Sequence, residues 1–204
     1  MLEQEHKDQL TVRLARETDL DDVEEMVNDF VKGHPAEKHP RSRSVLCAAY
    51  FGDAPVARLV VATRNGRVIG MGQWTLIYDM FWGMYGANAE WLYVRPEYRG
   101  RGVVVAIVAE ICAQVRQAGG EFLHGGGDDE VERLYERVAI GRSTHECHVS
   151  AEAFQVLADL AGLAPREIVR RLPSPELNRV AARARGSTGS DLHKLLIRRH
   201  KIAK

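Results

Sequence analysis

Little in this chain points outside a reducing, aqueous compartment. Its 204 residues hold three cysteines, Cys47, Cys112 and Cys147, an odd number without C-x-x-C spacing, so neither a disulfide framework nor a zinc ribbon is expected. Cys112 falls within an apolar helical pattern and is expected to be a buried small hydrophobe. No apolar run reaches the roughly 18–20 residues of a membrane span, and residues 1–12 are too polar for a signal peptide. A cytoplasmic protein with no membrane partner is expected. Net charge is zero, but it is unevenly spread. Residues 163–204 carry eleven Lys/Arg against three Asp/Glu, which leaves seventeen against twenty-five for residues 1–162. An acidic body favours a cationic small molecule, whereas a basic tail favours a polyanion or an acidic surface. The segment His145-Glu146-Cys147-His148 has metal-capable side chains, but strand alternation would divide them between two faces, so no metal is expected.

The most informative stretch that is present runs from Trp91 to Val104, W-L-Y-V-R-P-E-Y-R-G-R-G-V-V. A strand-like run passes through a basic, glycine-bearing turn into a long apolar helix. The first turn of a helix has N–H groups without intrahelical partners, and the helix dipole adds partial positive charge there, so a pyrophosphate can sit on it. Arg99 and Arg101 add full charges, while Gly100 and Gly102 remove the Cβ atoms that would hold a phosphate off the backbone.

Around this stretch the pattern alternates between the two regular periods. Residues 10–15 read as a strand, and Thr18-Asp19 can cap a helix running to about Val31, with Leu20, Val23, Met26, Val27 and Phe30 at helical spacing. Residues 34–43 read as a loop and 44–51 as a short helix. Strands at 57–63 and 67–77 are joined by Asn65-Gly66, a two-residue hairpin signal. Residues 79–88 read as an aromatic, glycine-bearing connection before a strand over 89–94. A helix over 103–118, about 24 Å long, is apolar almost all round and therefore expected inside, against a sheet. A strand at 121–124, a helix at 128–138 and a strand at 142–149 complete the body. The fold class is α/β in layers: a mixed central sheet flanked by helices.

These residues and this order resemble the GNAT family of acetyl-CoA-dependent N-acetyltransferases. The family pattern Arg/Gln-x-x-Gly-x-Gly/Ala reads here as Arg99, Gly100, Arg101, Gly102, Val103 and Val104, with Pro96 and Glu97 upstream; Val104 stands where the family usually keeps Gly or Ala. The resemblance implies that Arg99 to Val104 hold the diphosphate of acetyl-CoA as cosubstrate. It implies too that the backbone of Leu92, Tyr93 and Val94 pairs with the pantetheine amides. The family's general acid is commonly a Tyr in a segment like L-Y-E-x-x-G-F, which falls on Tyr135; Asp128 falls where an Asn often touches the pantetheine arm, although its carboxylate suits helix capping better. The run Ala89-Glu90-Trp91-Leu92-Tyr93-Val94 is similar to L-E-D-L-Y-V of the polyamine and diamine acetyltransferases, which implies Glu90 as the base facing an amine pocket, with Trp91 replacing that type's Asp. Trp74, Tyr78, Phe81, Trp82, Tyr85 and Trp91 either wall such a pocket through cation–π contacts or, for Trp74 and Trp91, are plain core.

The implied activity is acetyl transfer to a primary amine of a small molecule or protein. A protein that keeps this shape and binds acyl-CoA without turnover is the alternative. Residues 1–150 would form the acetyltransferase domain, 151–184 a helical hairpin extension and 185–204 a basic linker and tail. The spacing of Ala158, Gly162, Leu163 and Ile168 is that of a helix-turn-helix, so a DNA-binding protein is a rival reading, although a packing or dimerising hairpin is the favoured one. The last thirteen residues either dock on a second subunit, as in a homodimer, or stay disordered.

Overall fold

The computed structural model describes residues 10–33, 35–39, 41–80, 83–125, 141–142 and 147–171, with side chains described throughout except at 35, 141–142 and 147–153. In chain order the elements are β1 (Thr11–Leu14), α1 (Leu20–Val31), α2 (Arg43–Phe51), β2 (Arg58–Arg64), β3 (Arg67–Asp79), β4 (Met84–Val94), α3 (Val103–Gln117), β5 (Phe122–Gly125), β6 (Gly141–Arg142), β7 (Cys147–Ser150), α4 (Ala151–Asp159) and α5 (Pro165–Arg171). They build one mixed sheet in the order β1-β2-β3-β4-β5-β7-β6. Only β4 and β5 run parallel among its neighbouring strands, joined by the crossover helix α3.

Strand alternation sorts the apolar residues into two layers. On β2, Leu59 and Val61 face one side and join Leu20, Val23 and Met26 of α1 and Leu46 of α2. Val60 and Ala62 face the other side, where α3 lies. Ten of the fifteen α3 residues are buried, as its all-round apolar sequence requires. Burying Ile107 and Ile111 alone is worth about 1.5–3 kcal/mol each. The helix can lie this close because β3 offers Gly72 beneath it, where a Cβ would come 2.6 Å from Ile107. Cys112 is fully buried, and burial pushes its thiol up. Phe154, Leu157 and Ala158 of α4 and Ile168 of α5 share this same core, so the helices beyond residue 150 pack directly on α3.

The hairpin at Asn65-Gly66 has positive φ at both residues, 54° and 80°, the conformation a two-residue type I′ turn needs. Three expectations need correction. The strand expected from residue 89 begins at Met84, because Tyr85 to Asn88 pair with β3 from Tyr78 to Thr75, turning the aromatic connection into a long hairpin. The single strand expected over 142–149 is two short antiparallel strands, with Gly141 opposite His148 and Arg142 opposite Cys147. Asp19 does not cap α1 with its side chain; it accepts the Arg16 amide at 2.7 Å and a two-point bond from Arg13 at 2.7 and 2.9 Å. The helix expected over 128–138 lies outside the described residues. Among those described, no helix is long and apolar enough to cross a membrane.

Candidate active site

β4 is the strand on which the site is built. Among the described residues its ladder with β5 covers Ala87 to Ala89, opposite Leu123 to Gly125. Residues 91–94 pair with β3 through Trp91 opposite Gln73, Leu92 opposite Gly72, Tyr93 opposite Met71 and Val94 opposite Gly70. The register slips between Gln73 and Trp74, whose partners are Trp91 and Ala89, so Glu90 is the extra residue of a β-bulge.

The bulge decides which side chains meet. Strict alternation would put Asn88 and Glu90 on one face and Trp91 and Tyr93 on the other; one inserted residue resets the parity, so both pairs face the α1–α2 layer. Glu90 is exposed there and accepts hydrogen bonds from Gln73 Nε2 and Asn88 Nδ2, each at 3.2 Å. Gln73 is itself oriented by Tyr50, whose hydroxyl donates to its Oε1 at 2.7 Å. Burial, and secondarily the Glu90 carboxylate, push the Tyr50 phenol up to about 12, so it remains a donor at neutral pH.

Beside this chain of bonds lies a cavity of about 270 Å³ between α1, α2 and the sheet, lined mostly by hydrocarbon. Gln73, Tyr50 and Arg41 are its polar residues, and Phe30, Trp91 and Tyr93 its other aromatics. Phe30 meets Trp91 and Tyr93 edge to face, at ring-centroid distances of 5.3 and 5.6 Å. Of the four described residues among the six aromatics singled out in the sequence, only Trp91 lines this cavity. Trp74 is fully buried in the α3 layer, while Tyr78 and Tyr85 pack on each other at 4.9 Å on the β3–β4 hairpin. Phe81 and Trp82 lie outside the described residues. The sequence carries no site signal at Phe30, Tyr50 or Gln73; Phe30 reads there only as part of a helical stripe.

The basic turn follows β4 directly. Arg95 is 5% exposed, and it donates to Val68 O at 2.9 Å and to both carboxylate oxygens of Glu25 at 2.8 and 3.2 Å. Asp22 adds a longer contact at 3.4 Å and accepts the Val68 amide at 2.9 Å. The hydrogen bonds from Arg95 hold the Glu25 carboxyl below its ordinary range. This clamp fixes the point at which the chain leaves the sheet. A short 3-10 turn over Pro96–Tyr98 follows. Arg99 then folds back, its Nε donating to Val94 O at 3.0 Å and its guanidinium lying over the Tyr93 ring. Arg101 lies over Tyr98 and is exposed.

Gly102 caps α3 in the left-handed conformation, φ 78°, and the first bond back to it comes from Ala106, so the amides of Val103 to Val105 have no partner inside the helix. A Cβ at Gly100 would meet nothing within 4 Å, so the outer side of the turn is open. Val103 is buried, and the half-buried Val104 leans on the α3 core. Two guanidinium groups, the open turn and the helix start together fit a diphosphate. Tyr135 and Asp128 lie outside the described residues. Among those described, no cluster of His, Cys, Asp or Glu is arranged to hold a metal ion.

The model of the Acetyltransferase (GNAT) family matches residues 23–139, which spans β2 to β5 and the whole R-G-R-G turn. Thialysine N-epsilon-acetyltransferase of Mus musculus is 29% identical over 124 residues, 52% of this chain and 72% of that protein. Among solved structures, ribosomal-protein-alanine N-acetyltransferase from Brucella melitensis biovar Abortus 2308 is similar in fold, with a TM-score of 0.52 at 16% identity over 64% of this chain and 90% of that one. An N-acetyltransferase from Staphylococcus aureus Mu50 has a TM-score of 0.54 at 15% identity, covering 70% of this chain and 99% of its own. The family match over more than half the chain, together with a fold similar to that of these structures, establishes that the chain belongs to the GNAT acetyltransferase family.

Proposed function

We propose that this protein transfers an acetyl group from acetyl-CoA to a primary amine by direct attack. The observation that carries the reading is the position of Glu90: a carboxylate on the β4 bulge, oriented by Gln73 and Asn88, beside an apolar cavity and on the strand that leads into the basic turn before α3. Arg99, Gly100, Arg101 and Gly102, with the amides of Val103 and Val104, would hold the diphosphate. The backbone of Leu92, Tyr93 and Val94 would pair with the pantetheine as an added strand. Asp128 would sit near that arm or cap its own helix. When bound, acetyl-CoA supplies an activated acetyl group whose carbon–sulfur bond breaks as the carbon–nitrogen bond forms.

The residues' part is to manage two protons. An amine reaches the site as an ammonium, so Glu90 would bind the cation and then take its proton by way of water. Tyr135 would give a proton to the departing thiolate. The free, unpaired Cys47 and Cys112 fit a reducing, cytoplasmic setting. Two measurements test the reading. Calorimetry with acetyl-CoA should show binding that the Arg99→Ala/Arg101→Ala double variant weakens, and release of free thiol should depend on added amine. Tyr135→Phe should lower that release and leave acetyl-CoA affinity nearly unchanged. Binding without amine-dependent release would instead indicate a module that holds acyl-CoA without turnover.

A further inference from the structure

The cavity beside Glu90 has a composition that the amine chemistry alone does not require. Its walls are Val27, Phe30 and Val31 of α1, Leu46 of α2, and Leu59 and Met71 of the sheet. At about 270 Å³ it is nearly twice the roughly 150 Å³ at which an apolar cavity takes a benzene ring. There is room for a ring with a short chain, or for a two-ring body. Phe30 and Trp91 are 46% and 50% exposed, large aromatic surfaces left to water at the cavity. An apolar body seated there would cover them.

Charge narrows the choice further. Among the described residues no carboxylate lines the cavity, and the one charged side chain there is Arg41, a cation that donates to the carbonyls of His39 and Ala36. The neighbouring carboxylate is Glu90, reached through Gln73. It offers one negative charge for one ammonium. A second ammonium farther along the acceptor would meet hydrocarbon or the Arg41 guanidinium, and a buried charge without a partner is strongly disfavoured.

We infer that the acceptor is a monoamine, a primary amine on a short chain carrying an aromatic or bulky aliphatic body, and that di- and polyamines are poor substrates. This inference rests on the acetyl-transfer reading above and names the substrate class of that site. Phe30 and Trp91 select the body, Glu90 the ammonium.

The test compares 2-phenylethylamine and tryptamine with 1,4-diaminobutane and spermidine, using the full chain and acetyl-CoA. The aryl amines are expected to have kcat/KM about tenfold higher or more. Phe30→Asp, a change at a half-exposed helix position, places a carboxylate on the wall and is expected to shift the ratio toward 1,4-diaminobutane by about tenfold. Equal or reversed preference in the unaltered protein overturns the inference. A second arm needs no turnover: titration of the four amines followed by calorimetry. If no amine is acetylated, the catalytic reading fails, and this arm still decides. Tighter binding of the aryl amines than of the diamine upholds the inference, and tighter or equal binding of the diamine overturns it, as does no binding at all.

Discussion

Pro165 of α5 stands against Gly102 so closely that a Cβ built on the glycine would lie 2.7 Å from the proline Cβ. The helix pair beyond residue 150 thus abuts the turn that precedes α3. Gly102→Ala should cost about 2–4 kcal/mol, combining a left-handed φ that alanine disfavours with a clash against a rigid ring. Acetyl-CoA affinity should fall with it, because relief of the clash moves either α5 or the helix start. Thermal unfolding and calorimetry measure the two effects. Unchanged stability would mean that α5 yields freely.

Glu90→Gln keeps size and polarity but removes the proton acceptor. Turnover with amine should fall about 100-fold or more, while binding of acetyl-CoA alone stays as it was. Steady-state kinetics across pH decide this. A kcat that matches the unaltered protein at every pH would take Glu90 out of the reaction.

Arg95 is buried against two acidic residues of α1 that remain partly in water. Its removal leaves the Val68 carbonyl without this donor and Asp22 and Glu25 without their buried counter-charge. Arg95→Ala should therefore destabilise by about 3 kcal/mol, a fall of roughly 6–12 °C in melting temperature for a chain of this size. Glu25→Gln should cost under about 1 kcal/mol, since Glu25 is half exposed. Urea unfolding of the two variants checks the order. Similar losses in both would show that the pair, rather than the buried arginine, matters.

Tyr50 links the site to alkaline stability. Its phenol is pushed up from 10 to about 12 by burial first and by Glu90 second. Below pH 10 both folded and unfolded chains hold that proton, so the contribution is fully present. Between pH 10 and about 12 the folded protein still holds it and the unfolded chain does not, so stability falls as pH rises. Tyr50→Phe should lose less stability across this window than the unaltered protein. Parallel losses in the two proteins would contradict the shift.

Much of the fold was legible because its signals are local. The 3.6-residue spacing of Leu20, Val23 and Met26, the Asn65-Gly66 turn and the all-round apolar α3 each carry their own instruction, and all three structures formed where the spacing placed them. The R-G-R-G turn was legible for the same reason, since helix start, glycines and arginines are neighbours in the chain. The hairpin past Asp79 was less so. Its strands are held by pairing across the turn, and Tyr78 with Tyr85 form a contact that neither residue signals alone.

By itself, the sequence determined the order of elements, the buried helix and the basic turn before it. Only the tertiary structure decided that Glu90, Trp91 and Tyr93 share a face. The two-residue period of a strand assigns Glu90 and Trp91 to opposite sides, and a bulge that exists only as a register slip against β3 reverses that assignment. Gln73, Tyr50 and Phe30 come from three separate elements, so no spacing along the chain could have joined them to Glu90. Their meeting depends on how α1 and α2 pack across the sheet.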